Sequence, residues 1–175
     1  MSSYILRVVR GIDEETTIMV INDTAVAAFW NTCCDDHGIE EGASHHVGPF
    51  SDPELAPYQE MLLRLVREGR KRATARVDME FERYGIPRRA PGDHWMVTDT
   101  AGNPACLVRI TDVQAWPFRE VPLSFAQREG EGDNTLEYWR KVHKDYFVLQ
   151  CEQWGVEWRD DHLVCCEGFT LVAVA

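Results

Sequence analysis

The segment from Gly69 to Arg76, with the sequence GRKRATAR, combines residue types that can take part in catalysis. Lys71 supplies an amine that can hold a proton or a positive charge, and Thr74 supplies a hydroxyl that can attack a carbonyl carbon once a base takes its proton. Arginines surround this pair, and a guanidinium can bind an anion or polarise a carbonyl. These arginines are Arg70, Arg72 and Arg76. The segment therefore predicts a site for an anionic or carbonyl-bearing ligand.

The same segment shows the period-two alternation of a β-strand from residue 72 onward. Its small apolar face, which we expect to pack in the core, consists of Ala73, Ala75 and Val77. Its polar face consists of Arg72, Thr74 and Arg76. We expect the neighbouring positive charges to lower the pKa of Lys71, so that its amine can accept the hydroxyl proton of Thr74. The alternative is that Thr74 is an ordinary strand residue and Lys71 a solvated turn residue.

An acidic loop at residues 129–133, with the sequence EGEGD, provides carboxylates for acid–base catalysis. Glu131 is our first choice for a residue that passes a proton to a leaving group, and Glu129 is our second. Asp133 is a further candidate for ligand binding. The alternative is a solvated acidic loop before a helix, because negative charge is favourable at a helix N-terminus.

The helix predicted after this loop carries two side chains that could contact a ligand. Trp139 and His143 lie four residues apart and therefore share one face of the helix. Trp95 and Trp116 are further candidates for stacking on a base, a contact worth about 1–3 kcal/mol. The alternative for all four residues is packing in the core, which is the commoner fate of such side chains.

Charge is distributed unevenly along the chain. The 175 residues carry a net charge of −11, but residues 64–89 hold nine of the 18 basic residues against four acidic ones. Nine minus four gives +5 for this segment and leaves −16 for the remainder. A local cationic patch on an acidic chain favours a nucleoside, another small anionic ligand or a short RNA as the partner, and it disfavours long duplex DNA.

The sequence gives no indication of a cofactor, a metal or a membrane partner. Apolar runs fall far short of the ~20 residues of a membrane span, and the N-terminus lacks the pattern of a signal peptide, so we expect a cytoplasmic protein. The six cysteines do not have the spacing of a zinc knuckle or a disulfide framework, and we expect free thiols. A metal site would need Cys33, Cys34, His37, His45 and His46, whose spacing fits no common zinc pattern. The oligomeric state is left open.

The order of predicted elements favours an α+β domain with a mostly antiparallel sheet or barrel. Residues 1–22 are predicted to form an N-terminal extension that could be a β-hairpin, followed by one domain over 23–175. Strands are predicted at 72–77, 94–99 and 105–113, the last of which could continue to Phe118, and residues 162–174 are predicted to form one or two strands. The predicted helices begin after Asp23 or Thr24, Ser51, Pro122 and Asn134, and a loop through His45 and His46 joins the first two.

Four motifs in this order resemble those of the ASCH domain family. They are the G-R-K-x-x-T-x-R element at 69–76, a G-D turn at 92–93, a D-x-x-G-x-P hairpin at 99–104, and the segment E-G-E-G-D-N-T-L-x-x-W at 129–139. Each motif is weak by itself, but four at similar spacing make the resemblance specific. It covers roughly residues 23–174.

The resemblance implies a PUA-like β-barrel with flanking helices and a cleft for RNA or nucleoside ligands. Some relatives look like small amidohydrolases that remove the acetyl group of N4-acetylcytidine, and others are ribonucleases. In the amidohydrolase type, the lysine and threonine of a K-x-x-T element act with a glutamate from the later loop. The lysine and threonine correspond to Lys71 and Thr74, but an ungapped alignment puts Gly132 at the place of the acid. Residues 1–22 lie outside the pattern, and residues 45–50 lack the aromatic-glycine element expected there.

We therefore expect an RNA- or nucleoside-binding ASCH domain that hydrolyses an N-acylated nucleoside or RNA. In that reaction Lys71 would be the general base, Thr74 the nucleophile and Glu131 the proton shuttle. The alternative is a non-catalytic RNA-binding or adaptor module that uses the same cationic cleft to hold a ligand.

Overall fold

A computed structural model describes residues 20–51 and 56–175. Within these residues the strands are β1 His45–Gly48, β2 Ala73–Val77, β3 His94–Thr98, β4 Pro104–Pro117 and β5 Leu163–Val174. They form one sheet in the order β1-β3-β4-β5-β2. β1 runs parallel to β3, and all other neighbours are antiparallel. The long strands β4 and β5 therefore form the centre of the sheet.

Helices flank this sheet in a mixed α+β arrangement. They are α1 Asp23–His37, α2 Ala56–Arg67, α3 Met79–Tyr84, α4 Leu123–Glu129 and α5 Leu136–Gln153, with a 3-10 turn at Phe118–Glu120. The predicted fold class is confirmed. The sheet is not closed, since its edge strands β1 and β2 do not pair, and its form is compatible with a PUA-like barrel.

Three local predictions were wrong. The cap of α1 is Asn22, whose side chain accepts a hydrogen bond from a first-turn amide, and not Asp23 or Thr24. The cap of α5 is Thr135, because Asn134 adopts a left-handed conformation with φ of 62°. Residues 45–48, predicted as loop, form β1, because a parallel partner strand can recruit a short segment that has no strong alternation of its own.

The two faces of the sheet bury separate apolar clusters. As predicted, Ala73 and Val77 of β2 are fully buried, and they pack with residues of α4 and α5 such as Phe125 and Phe147. A second cluster lies around Trp95 of β3 and includes residues of α2, β4 and β5. The site residues lie where the loop before α5 meets the start of β2, between these two clusters.

The predicted N-terminal hairpin lies outside the described residues, and the boundary at residue 22 stays a prediction. The predicted start of the second helix, at 52–55, also lies outside them. In the part of the chain that the structure describes, no helix combines the length and the apolar character needed to cross a membrane.

Candidate active site

The backbone turn after α2 fixes the position of Lys71. Gly69 takes a left-handed conformation with φ of 71°, which favours glycine, and it ends the helix. The amide of Lys71 then donates to the Leu65 carbonyl over 3.0 Å. One residue later, the carbonyl of Arg72 accepts from the Phe169 amide at 2.9 Å, which ties the start of β2 to β5. Lys71 is therefore held at a rigid junction between helix and strand.

The end of α4 docks directly on this junction. The amide of Arg72 donates to the Arg128 carbonyl over 2.7 Å. Gly130 has φ of 68°, and a Cβ atom there would lie 2.2 Å from the carbonyl oxygen of Arg70. Only glycine permits this close approach of the two backbones. As a result, the glutamates on either side of Gly130 are brought to Lys71.

Lys71 lies between two carboxylates and is almost completely buried. Its Nζ is 2.7 Å from Oε2 of Glu129 and 2.6 Å from Oε1 of Glu131, and its side chain is 1% exposed. Burial by itself lowers the pKa of the Lys71 amine, but the two carboxylates outweigh burial and raise it above its ordinary value. The prediction that neighbouring arginines lower this pKa was wrong, because carboxylates and not guanidiniums surround the amine.

Glu129 is the more heavily bonded of the two carboxylates. Its Oε1 accepts from the Trp139 indole at 3.0 Å and lies 3.3 Å from Nε2 of His143. The other ring nitrogen of His143 is 2.9 Å from the Trp139 carbonyl oxygen, so both ring nitrogens face acceptors. Burial acts against both charges, but the pairing prevails: the pKa of Glu129 is lowered and that of His143 is raised. Trp139 and His143 thus hold Glu129 in place.

Glu131 is also buried but keeps one oxygen uncommitted. Within the described residues its Oε1 contacts Lys71, while its Oε2 makes no hydrogen bond and is not among the enclosed polar atoms that lack a partner. Tyr58 and Tyr138 lie nearby. Burial, followed by the influence of Tyr138 and Glu131, raises the pKa of the Tyr58 phenol. Glu131 therefore has one oxygen that a ligand could contact.

The predicted continuous cationic face does not form. Arg70 and Arg72 are exposed, and Nη2 of Arg70 donates to the Gly130 carbonyl over 3.3 Å and not to a side chain of the Lys71 cluster. Arg76 is partly buried and pairs with Glu80 at 2.8 Å. Arg72 and Arg76 have the same strand parity, but Glu80 of α3 neutralises the partly buried Arg76, whereas Arg72 stays in solvent. The sequence grouped these cations, but the fold separates them.

Asp133 and Gly132, the remaining loop candidates, lie outside the Lys71 cluster. Asp133 is exposed, and its Oδ1 accepts from the Thr135 amide at 2.9 Å, a local contact at the start of α5. Gly132 has φ of 55°, and a Cβ atom there would lie 2.1 Å from the ring of Tyr138. A carboxylate at 132, as the ungapped alignment implied, would therefore displace this ring.

Thr74 faces a second buried ion pair that the sequence analysis missed. It is half-buried and lies opposite Glu167 of β5 in the strand register. The Arg89 Nε donates to both Glu167 oxygens at 3.0 and 3.2 Å, and its Nη2 donates at 2.5 Å. The guanidinium carbon is 3.8 Å from the centre of the Trp95 ring. The sequence did contain a signal for this pair: Glu167 is the one charged residue in the apolar strand segment LVCCEGF at 163–169. A carboxylate buried in such a strand needs a partner.

Phe50 connects the two charged groups. Its ring centre is 5.7 Å from Nζ of Lys71 and 4.8 Å from the ring centre of Trp95. The Gln59 side-chain oxygen accepts from the Phe50 amide at 3.0 Å and so fixes this part of the chain. Phe50 and the buried Trp95 therefore lie between the lysine–glutamate cluster and the arginine–glutamate pair.

The other predicted features concern metals, thiols and tryptophans. In residues 20–51 and 56–175, no group of three or more His, Cys, Asp or Glu side chains is arranged to hold a metal ion. The six cysteines are free, and burial raises the pKa of Cys106 to about 12. Trp95 and Trp139 are buried, and Trp116 packs against the cluster around α5, so all three have the core role given as the alternative.

Comparison with known proteins decides the family. The sequence model of the ASCH domain matches residues 51–173. This chain belongs to the ASCH domain family. An ASCH domain from Lactobacillus crispatus JV V101 is 26% identical, with a TM-score of 0.76 over 87% of this chain and 96% of that one. A protein from Enterococcus faecalis V583 is 27% identical, with a TM-score of 0.75 over 86% and 90%. Comparison with curated proteins found no match.

The family match confirms the resemblance drawn from the four motifs. ASCH domains in general bind RNA. The Lys71 cluster and the loop that completes it, residues 129–131, lie within the matched range.

Proposed function

We propose that this ASCH domain binds an N-acylated nucleoside of the N4-acetylcytidine type and hydrolyses its amide bond. The observation that carries the proposal is the buried Lys71 ammonium held between Glu129 and Glu131, at the start of the strand that presents Thr74. Buried charges are costly unless they are paired, and charged groups with perturbed pKa values cluster at functional sites.

The two carboxylates take different roles. Glu129 uses both oxygens on Lys71, Trp139 and His143, and it anchors the ammonium. Glu131 has an oxygen with no hydrogen bond in the described residues, and this oxygen takes and returns the proton. This assignment agrees with our first choice from the sequence.

Lys71 acts through its charge and not as the general base that the sequence predicted. An amine whose pKa is raised stays protonated at neutral pH. An ammonium has three N–H donors, and two of them are directed to the glutamates. The third makes no hydrogen bond within residues 20–51 and 56–175, and it donates to the acyl oxygen of a ligand and stabilises the negative charge that develops there.

The reaction proceeds through an acyl-enzyme. Thr74 Oγ attacks the acyl carbon, its proton passes to Glu131, and the carbonyl electrons move onto the oxygen that Lys71 stabilises. The carbon–nitrogen bond then breaks, and Glu131 returns the proton to the leaving amine. A water molecule, deprotonated by Glu131, cleaves the acyl ester, which releases the carboxylic acid and restores the Thr74 hydroxyl.

The test is hydrolysis of N4-acetylcytidine by the purified chain, with cytidine release followed by chromatography. Thr74→Val removes the hydroxyl at nearly constant volume, and Thr170→Val makes the same change at an exposed position of β5. We expect Thr74→Val to lose turnover and Thr170→Val to retain it. Glu131→Gln should lower kcat by about 10²–10⁴-fold, the usual contribution of acid–base catalysis.

Two results contradict the proposal. Folded wild-type protein that releases no cytidine would exclude this substrate. Normal turnover by Thr74→Val would exclude an acyl-threonine intermediate. Binding of the nucleoside without turnover would instead favour a non-catalytic binding domain.

A further inference from the structure

His143 lies at the inner end of the Lys71 cluster, and the proposed reaction gives it only a contact with Glu129. Its side chain is 11% exposed, and its ring stacks on the Trp139 indole with 4.2 Å between the ring centres. The Phe147 ring meets it at a steep angle, with the ring centres 5.7 Å apart. Because the ring is enclosed in this way, its few polar neighbours determine its charge.

Both ring nitrogens of His143 face oxygen atoms that only accept hydrogen bonds. Nδ1 lies 2.9 Å from the carbonyl oxygen of Trp139, so Nδ1 carries a proton. Nε2 lies 3.3 Å from Oε1 of Glu129. An unprotonated Nε2 would turn a lone pair toward a carboxylate oxygen, whereas a protonated Nε2 forms a charge-assisted contact. The arrangement therefore favours a proton on each nitrogen, which is the positively charged imidazolium.

The proton between His143 and Glu129 belongs to the histidine. Glu129 already accepts from Lys71 at 2.7 Å and from the Trp139 indole at 3.0 Å, and both contacts stabilise its ionised form. The stacked Trp139 ring also attracts a cation that lies over its face. The direction of the pKa shift agrees with this geometry: burial by itself lowers the pKa of His143, but the attraction of Glu129 outweighs burial and raises it.

Four buried charges then alternate in one row. They are the positive His143, the negative Glu129, the positive Lys71 and the negative Glu131. Among the described residues, the charged groups that influence His143 are the other three members of this row. The row is neutral only while His143 holds both of its protons. Without that charge, Lys71 is the one cation of the row for two carboxylates, and they draw its ammonium away from an oxyanion.

We infer that His143 is a positioning residue, held as an imidazolium at neutral pH, which binds Glu129 so that Lys71 can direct its third N–H to the acyl oxygen of the ligand. His143 acts through Glu129 and does not touch the ligand. The effect on turnover rests on the proposed function. An interaction that matters once the oxyanion forms changes kcat, whereas binding of the substrate before the reaction sets KM when chemistry is slow.

The first experiment measures the charge of His143 without a substrate. Long-range proton–nitrogen NMR spectra of the full chain, labelled at its six histidines, distinguish an imidazolium from a neutral ring that carries a proton on one nitrogen. His143→Gln removes one set of signals and so assigns it. We expect both nitrogens of His143 to be protonated at pH 7. A neutral ring at pH 7 would overturn the inference.

The second experiment measures kcat and KM for N4-acetylcytidine. His143→Gln keeps a polar side chain that cannot carry a charge, and His162→Gln makes the same change at a half-buried histidine that packs against Trp158. We expect His143→Gln to lower kcat by up to about 10²-fold, the effect of a small misplacement in an active site, with KM little changed. His162→Gln should retain both values.

The pH profile separates positioning from a structural role. The wild-type kcat should fall on the alkaline side at the pKa that NMR gives for His143, and His143→Gln should lack this fall. A normal kcat in the folded variant, or an alkaline fall that the variant retains, would overturn the inference. If the variant does not fold, a wild-type fall at a pH different from that NMR pKa would overturn it. No hydrolysis by the wild type would refute the proposed reaction, and the NMR spectra would still decide whether His143 is an imidazolium.

Discussion

Replacing Lys71 with methionine should destabilise the protein strongly at neutral pH and much less in acid. The substitution conserves much of the side-chain volume but leaves two buried carboxylates without their shared ammonium. Breaking a buried ion pair by removing one partner costs about 3–5 kcal/mol. For a chain of this size that corresponds to a fall in Tm of about 6–20 °C. Thermal unfolding followed by circular dichroism at pH 7 measures it.

The pH dependence follows from the direction of each pKa shift. The pKa of Glu129 is lowered from 4.5, so its contribution to wild-type stability is present above that value and is lost as the pH falls through the lowered pKa. The pKa of Lys71 is raised from 10.5, so its contribution is present below that value and is lost as the pH rises through the raised pKa. Without Lys71, burial makes Glu129 take up a proton more readily, and the cost of Lys71→Met should shrink as the pH is lowered from 7 toward 5.

The control for this prediction is Lys141→Met. The Lys141 side chain is 76% exposed and pairs with Asp145 on the same helix, so its loss should change stability by less than about 0.5 kcal/mol at any pH. The reasoning would be refuted if Lys71→Met cost less than about 1 kcal/mol at pH 7, because even a weakly buried pair should exceed that value. A cost that does not change between pH 7 and pH 5 would equally refute it.

Three further predictions concern elements around the site. Gly130→Ala should lower the Tm far more than Gly155→Ala. Both glycines have φ of 68°, but of the two only a Cβ atom at 130 would collide with backbone, the carbonyl of Arg70. Equal losses of stability would mean that the loop can move aside. The pKa of His143 is raised from 6.5, so its contribution to wild-type stability is present below pH 6.5 and is lost as the pH rises through the raised pKa. In His143→Gln this loss of stability above about pH 6.5 should disappear. An unchanged dependence of stability on pH would contradict this prediction. Asn22→Ala should lower the free energy of unfolding by about 1 kcal/mol through loss of the α1 cap, and no change would show that another group replaces it.

Much of the fold could be predicted because its strongest elements carry local signals. Alternation over 73–77 and the hairpin before β4 were sufficient to place these strands, and helical spacing was sufficient for α5. β1 was not predictable, since its four residues form a strand only by pairing with β3. The cap of α5 is Thr135 because Asn134 takes the left-handed conformation, which asparagine tolerates but which no local pattern in the sequence requires.

The site was predicted in its membership but not in its electrostatics. The sequence grouped Lys71, Glu131 and Glu129, and the structure brings these three side chains into contact, while their catalytic roles stay a prediction. It gave the wrong pKa direction for Lys71, because charges close in sequence were assumed to be close in space. The close backbone approach at Gly130 determines which side chains surround Lys71. Residues separated by about sixty positions show no local sequence pattern that predicts such a contact. The same reason hid the pairing of Arg89 with Glu167.

The way the basic residues are paired also predicts how the protein should respond to salt. Of the cations near the site, Lys71 and Arg76 contact carboxylates within 3 Å, which leaves the exposed Arg70 and Arg72 as the described residues best placed to meet phosphates. Two phosphate contacts predict a slope of about −1.4 for log affinity against log salt with single-stranded RNA. Fluorescence anisotropy of a labelled short RNA between low and physiological salt measures this slope, and replacing both exposed arginines with glutamine should bring it close to zero. A slope steeper than about −3 would mean that four or more phosphates are contacted, and a long RNA would then replace the single nucleoside as the natural ligand.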